Sequence, residues 1–190
     1  MSIVTFPNEE VRKKAFEEYV TAVGKVAYSW NYLHEQLAQL FVSVVAADNV
    51  DVAFAVWYST PNDRGQRQML KSAVAASKAP WKTAATVDEF KWLDGRLNSL
   101  AEARNDAVHA PCSLYVDAER SVMGPAFIWG HPRAKNLIGK SLLAEFAWCE
   151  AYTEALSRYV IALQSAVHPD NREPWPDRPK LPERQEGNMK

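Results

Sequence analysis

The chain has 190 residues, of which 47% are hydrophobic and 24% charged, and its formal net charge is −1. This composition is typical of a globular protein and excludes a wholly disordered or collagen-like chain. No apolar run approaches the roughly 20 residues of a membrane span, and the first ten residues lack the pattern of an export signal. We therefore expect a cytoplasmic protein with reduced thiols and no membrane partner, in which any basic surface is local.

Apolar residues at helical spacing predict an all-α chain. The first helix is expected to begin after Asn8 and to end near residues 48–49, and a short second helix covers about residues 50–58. Thr60 as a cap, followed by Pro61 at the first helical position, predicts a third helix that Pro80 ends.

The capping-box pattern from Thr86 to Glu89 predicts the start of a fourth helix, which Pro111 prevents from continuing. A fifth helix begins near Ser141, and its apolar residues alternate steps of four and three as far as Val167. These elements predict an up-and-down bundle of four or five helices.

Two segments interrupt the helical pattern. Residues 112–138 contain short β-prone pieces and predict a small hairpin or structured loop before the last helix. Residues 168–190 contain five prolines and balanced charges, which predicts a mobile extended tail, with docking of Trp175 on the bundle or on a partner as the alternative. We therefore expect one helical-bundle domain over residues 1–167, followed by a Pro-rich tail.

Arg104 interrupts the apolar side of the fourth helix. The seam through Leu93, Leu97 and Leu100 places Arg104 at its next step. A guanidinium keeps its proton, so facing a core is costly unless an acceptor meets it. Two structural explanations are open: the helix leaves the core at this point, or Arg104 pairs with a carboxylate on a neighbouring helix. The functional alternative is that the apolar side here borders a cleft or subunit interface that holds an anion such as phosphate.

Asn105 and His109 follow Arg104 in the last turns of the same helix. They are four residues apart and share a face, so the amide can orient the imidazole. A cation for charge stabilisation, a histidine for proton transfer and a polar orienter suffice for RNA cleavage without a metal. A histidine near a helix C-terminus also interacts favourably with the helix dipole, and this interaction alone can account for His109 without a catalytic role.

The segment Arg104-Asn105-x-x-x-His109, late in a long helix of an all-helical chain, resembles the motif of the HEPN superfamily: an Arg followed a few residues later by His, often with a polar residue directly after the Arg. The resemblance implies a metal-independent endoribonuclease of the toxin or antiviral-defence type. It also implies a homodimer in which two motifs face one cleft, an RNA substrate, and an antitoxin or inhibitor protein as partner. Pro111 stands where some toxin members carry a tyrosine that the antitoxin modifies.

Two groups of cations are candidate phosphate contacts. A helical wheel places one group on a single stripe of the third helix, and the other belongs to an acid-free stretch that begins at residue 120. A solvated face and a solvated loop are the alternatives. The RNA-binding candidates are Arg64, Arg67, Lys71 and Lys78 in the stripe, with Arg133 and Lys135 in the later stretch.

No cofactor or metal is predicted. The four histidines and two cysteines have no zinc-ligand spacing, and the sequence has no Gly-rich phosphate loop. Two functions therefore remain open: a HEPN-like endoribonuclease that uses Arg104, Asn105 and His109, or a catalytically silent helical module for dimerisation, RNA binding or protein-partner binding.

Overall fold

The computed structural model describes residues 9–109, 131–137, 140–168, 170–171 and 174–184. These residues contain helices and irregular segments and no strand, which confirms the predicted all-α bundle. In chain order the helices are α1 Glu9–Val45, α2 Val50–Tyr58, α3 Asp63–Ala76, α4 Ala84–His109, α5 Pro132–Lys135 and α6 Leu142–Ala166.

The chain divides into two compact units. Unit 1 comprises Met1–Tyr28, Leu100–Ala151 and Pro182–Lys190, and unit 2 comprises Ser29–Ser99 and Tyr152–Leu181. Helices α1, α4 and α6 each contribute residues to both units. The single domain over residues 1–167 stays a prediction.

The core of unit 1 contains residues of α1 and α6 together with the segment after α5. Tyr19 of α1 meets Phe146 of α6 edge-to-face, with ring centroids 5.7 Å apart. Edge-to-face geometry suits the aromatic quadrupoles and adds to the free energy gained by burial. The fully buried members are Val26, Leu137, Leu142, Phe146 and Cys149.

Unit 2 buries apolar residues of five helices. Hydrogen bonds join its helices: Gln164 of α6 donates to the carbonyl of Gln36 on α1 at 2.8 Å, and Tyr159 of α6 donates to Glu89 of α4 at 2.8 Å. The apolar residues that recur at helical spacing in these helices face the core, as predicted. Its largest fully buried side chains are Leu33, Leu37, Leu40, Trp57, Leu93, Leu97, Leu156 and Leu163.

Helix α1 ends a few residues before the expected boundary. Its last residue is Val45, and Ala46 follows with a φ of 47°. A residue in this left-handed region turns the chain out of the helix, as at many helix C-termini. Asn49 then caps α2 by accepting a hydrogen bond from the backbone N–H of Val52 at 3.1 Å.

The predicted cap of α3 is wrong by two residues. Asn62, and not Thr60, accepts from the backbone N–H of Gly65 at 2.8 Å, so the helix begins at Asp63. Thr60 lies over this first turn, because a Cβ built on Gly65 would come within 2.5 Å of the Thr60 methyl carbon. Glycine at position 65 therefore allows the close approach of the two segments.

Helix α4 begins before the predicted capping box. The backbone N–H of Thr83 donates to the Thr86 hydroxyl at 2.8 Å, and the backbone N–H of Thr86 donates to the Thr83 hydroxyl at 3.2 Å. This reciprocal pair satisfies backbone donors at the helix start, which leaves Glu89 for contacts with other parts of unit 2.

The predicted hairpin falls mainly outside the described residues. Only the end of the 112–138 segment is described, and there Pro132–Lys135 forms one turn of helix, α5, where the sequence predicted hairpin or loop. Pro132 occupies the first turn, where its missing N–H costs nothing.

The described part of the tail, residues 174–184, has no regular secondary structure and is packed, in line with the docking of Trp175 that the sequence left as the alternative. In unit 2 the Trp175 ring lies 6.4 Å from Trp81 and 6.2 Å from Phe90 between centroids. Arg178 donates to Asp88 and to Glu89, both at 2.9 Å. Aromatic burial and charge-assisted hydrogen bonds offset the entropy lost when this segment is ordered.

The end of the tail packs within unit 1. The indole N–H of Trp148 donates to the carbonyl of Pro182 at 3.1 Å. Arg184 forms a salt bridge with Glu145 of α6, whose side chain is only 4% exposed, and its guanidinium lies 4.9 Å from the Trp148 ring centre. The tail thus supplies the cation for a buried carboxylate.

Candidate functional site

The last turns of α4 carry the motif residues. Arg104 and Asn105 are half-buried, and His109 is exposed as the last residue of the helix. Arg104 Nη1 donates to Asn105 Oδ1 at 2.9 Å. The described contact of Asn105 is therefore with Arg104, and its predicted orientation of His109 stays a prediction.

Asp106 is a polar residue of this region that the sequence analysis did not single out. Its carboxylate accepts from Arg133 Nη1 of α5 at 2.9 Å and from the side-chain amide of Asn136 at 2.8 Å. These contacts hold α5 against the end of α4 within unit 1. The signal was present, because Asp106 is the only acid among residues 103–109, directly after Arg104 and Asn105.

The contact with Asp106 bears on the second group of predicted phosphate contacts, Arg133 and Lys135. Arg133 is ion-paired and 39% exposed, so it is not an unpaired contact for phosphate, whereas Lys135 is exposed on α5. A surface cation that already has a carboxylate partner contributes less to the potential felt by RNA.

The predicted stripe on α3 does not form as expected. Arg67 is 7% exposed, and Lys78 lies beyond the end of the helix at Ala76. Arg64 and Lys71 are exposed on α3, and Lys71 lies 3.7 Å from Asp94. The helix ends early because Ser77 is extended, with a ψ of 141°. A helical wheel cannot detect the burial of Arg67 or the early end of the helix, since both depend on the packing of α3.

A polar cluster between α1 and α3 in unit 2 was also missed. His34 of α1 is 9% exposed, and its Nδ1 lies 3.2 Å from Gln66 Oε1. Trp30 Nε1 donates to Asp63 Oδ2 at 2.8 Å, and His34 Nε2 lies 3.9 Å from the same oxygen. Hydrogen bonds of Trp30 and His34 in this cluster link the two helices.

Cys149 is not a candidate nucleophile. It is buried on α6, and burial, with a smaller contribution from the charge of Glu145, raises the pKa of its thiol to about 12. The reactive form of cysteine is the thiolate, so this thiol stays protonated and unreactive near neutral pH.

Within the ranges that the structure describes, no three His, Cys, Asp or Glu side chains come together in a way that could hold a metal ion. In the same part of the chain, none of the helices has the length and apolar character needed to cross a membrane.

Comparisons of the chain with models of known protein families, with curated proteins and with solved structures gave no match.

Proposed function

We propose that this chain is a HEPN-like metal-independent endoribonuclease, with His109 as general acid/base, Arg104 as the clamp for phosphate and transition state, and Asn105 as a positioning residue. The observation that carries the proposal is the contact of Arg104 Nη1 with Asn105 Oδ1 at 2.9 Å, with His109 exposed at the end of the same helix. An exposed histidine at a helix end is accessible to a polymer substrate.

The reaction is an internal phosphoryl transfer. A base removes the proton of a 2′-hydroxyl, and the oxygen attacks the adjacent phosphorus. The bond to the 5′-oxygen of the next nucleotide then breaks, and that oxygen receives a proton. The products are a 2′,3′-cyclic phosphate and a 5′-hydroxyl. Histidine suits the proton transfers, and the planar guanidinium suits the charge that develops on the phosphorane.

Two features of α4 support these roles. The Asn105 side chain restricts the rotamers of Arg104, so less entropy is lost when the guanidinium meets a phosphate. Asp106 is engaged by Arg133 and Asn136, which compensates one of the two negative charges that lie two residues from Arg104. An RNA phosphate approaching Arg104 therefore meets less repulsion.

The test is cleavage of end-labelled single-stranded RNA in EDTA by the purified chain. We expect the wild type to cut and to leave 2′,3′-cyclic phosphate ends. Arg104→Ala is expected to reduce the rate about 10²–10³-fold, as expected for loss of one preorganised donor to a developing charge. The matched control is Arg158→Ala, since the Arg158 side chain is 72% exposed and pairs only with Glu154 among the contacts described for it.

Absence of cleavage by the wild type, or an unchanged rate in Arg104→Ala, would contradict the proposal. All variants are purified in parallel. Cleavage by a contaminating nuclease can then be told apart from cleavage by the chain, because a contaminant would be insensitive to the substitution.

Exposed apolar side chains on α2 favour the second candidate, a catalytically silent module that associates with a second copy. Val52 and Val56 are one turn apart and 57% and 47% exposed. A self-associating helix face of this kind is a common basis of homodimers.

We expect light scattering to show a dimer at micromolar concentration, and the double substitution Val52→Lys with Val56→Lys to shift it to monomer. Ile161→Lys, at a single exposed apolar position of α6, serves as control. A wild-type monomer would contradict the association, whereas a dimer without nuclease activity would favour the silent module over the enzyme.

A further inference from the structure

A cavity in unit 2 is lined by residues of α3 and α4 and has a volume of about 130 Å³. An apolar cavity of about 150 Å³ is large enough to bind benzene. The space here therefore suits one small ring or one branched aliphatic group. Its apolar walls are formed mainly by Leu70, Val74, Phe90, Leu93 and Leu97.

Arg67 lines the same cavity and is 7% exposed. Its Nη2 donates to Asn98 Oδ1 at 3.3 Å, whereas its Nε and Nη1 are buried and have no hydrogen-bond partner among the residues that the structure describes. A buried charged donor without an acceptor is costly, and such groups in native structures call for an explanation.

The electrostatic setting of Arg67 favours an anion in the cavity. Burial lowers the pKa of Arg67, while Asp63 and Asp94 oppose that effect. Lys71 and Lys91 also line the cavity, and Asp94 is the one acid among the lining residues, at 3.7 Å from Lys71. Three cations and one carboxylate leave an excess of positive charge around an otherwise apolar space.

We propose that this cavity binds a small monocarboxylate with a compact apolar body, such as an aromatic or branched aliphatic acid. The carboxylate accepts hydrogen bonds from the Arg67 guanidinium, and the apolar body fills the space between the leucine, valine and phenylalanine side chains. A neutral hydrocarbon leaves Nε and Nη1 of Arg67 without an acceptor, and inorganic phosphate has no apolar body to cover the walls.

The proposal concerns unit 2 and is independent of the ribonuclease motif in unit 1. Benzoate is the probe, titrated into the full chain with its leucine and valine methyl groups labelled for NMR. We expect saturable ring-current shifts at the methyl groups of Leu70, Val74, Leu93 and Leu97. Benzyl alcohol has a similar shape without the charge, and acetate has the charge without the ring. We expect both to bind at least tenfold more weakly than benzoate.

The matching substitution is Arg67→Met, which removes the charge at similar length. It is expected to weaken benzoate binding at least tenfold while helical circular dichroism is retained. Arg96→Met, at an exposed arginine of α4 that does not line the cavity, should leave the affinity for benzoate unchanged.

Absence of methyl shifts with benzoate overturns the proposal, as does equal affinity for benzoate and benzyl alcohol. Equal affinity of wild type and Arg67→Met for benzoate also overturns it, because the anion would then not be recognised by Arg67. The comparison of benzoate with benzyl alcohol and acetate uses the wild-type chain alone. It therefore tests the proposed carboxylate binding even where Arg67→Met lowers stability.

Discussion

Replacing His109 with alanine is expected to lower the rate of metal-free RNA cleavage by about 10²–10⁴-fold, the usual contribution of a positioned proton-transfer group. The effect should appear in the chemical step and not in folding, because His109 is exposed at the last residue of α4. Exposed substitutions of this kind change the free energy of unfolding by only about 0.5 kcal/mol or less.

The measurement is single-turnover cleavage of labelled RNA in EDTA, with circular dichroism and thermal unfolding of the same preparations. His168→Ala is the matched control, since His168 is exposed after α6, where its Nδ1 lies 4.0 Å from Asp170. We expect the control to cleave at the wild-type rate. A His109→Ala variant that cleaves as fast as the wild type would remove His109 from the proposed mechanism.

Replacing Arg184 with alanine is expected to lower the free energy of unfolding by about 3 kcal/mol, near the lower end of the range for breaking a buried ion pair. Arg184 Nε donates to both carboxylate oxygens of Glu145, at 3.0 and 2.8 Å, and Nη2 also contacts Oε2. Without Arg184 the Glu145 carboxylate, 4% exposed, loses this compensating charge. We expect the lower end of the range because the Arg184 side chain is itself 38% exposed.

Urea unfolding and thermal unfolding check this expectation. For a chain of this size, about 3 kcal/mol corresponds to a fall in Tm of roughly 6–12 °C. Adding Glu145→Gln to Arg184→Ala should recover much of the loss, because no buried charge then remains. Arg158→Ala is again the control, since its pair with Glu154 is exposed at 3.8 Å and contributes about 1 kcal/mol or less. If Arg184→Ala and the wild type unfold at the same urea concentration, the packing of the tail end against Glu145 does not stabilise the fold.

The extent of the helices could be predicted from local spacing. Helix α6 begins one residue after Ser141, and its apolar seam is buried, because a period near 3.6 residues leaves little choice of core-facing side. The caps were less predictable. Thr60 and Asn62 compete as caps of α3, and Thr83 and Thr86 both contribute at α4, so only the path of the backbone decides which side chain reaches a free N–H.

The motif candidates could be found from the sequence, but their contacts could not. Arg104, Asn105 and His109 follow one another on one helix, so their shared location needed only the helical repeat. The pairing of Asp106 with Arg133 joins residues that are 27 positions apart, and a single sequence carries no signal for that distance. The same holds for the contact of Arg67 with Asn98, 31 positions away.

The sequence by itself determined that the described part of the chain is helical, where its five longer helices lie within a few residues, and which short segment carries Arg104 and His109 on one helix. These features depend on local periodicity and on residue chemistry. Tertiary structure alone decided that Arg67 leaves the predicted cationic stripe for a cavity wall, and that the Pro-rich tail packs through Trp175 and Arg184. The physical reason is that burial and ion pairing arise from elements distant in sequence, whereas composition and helical spacing describe each element alone.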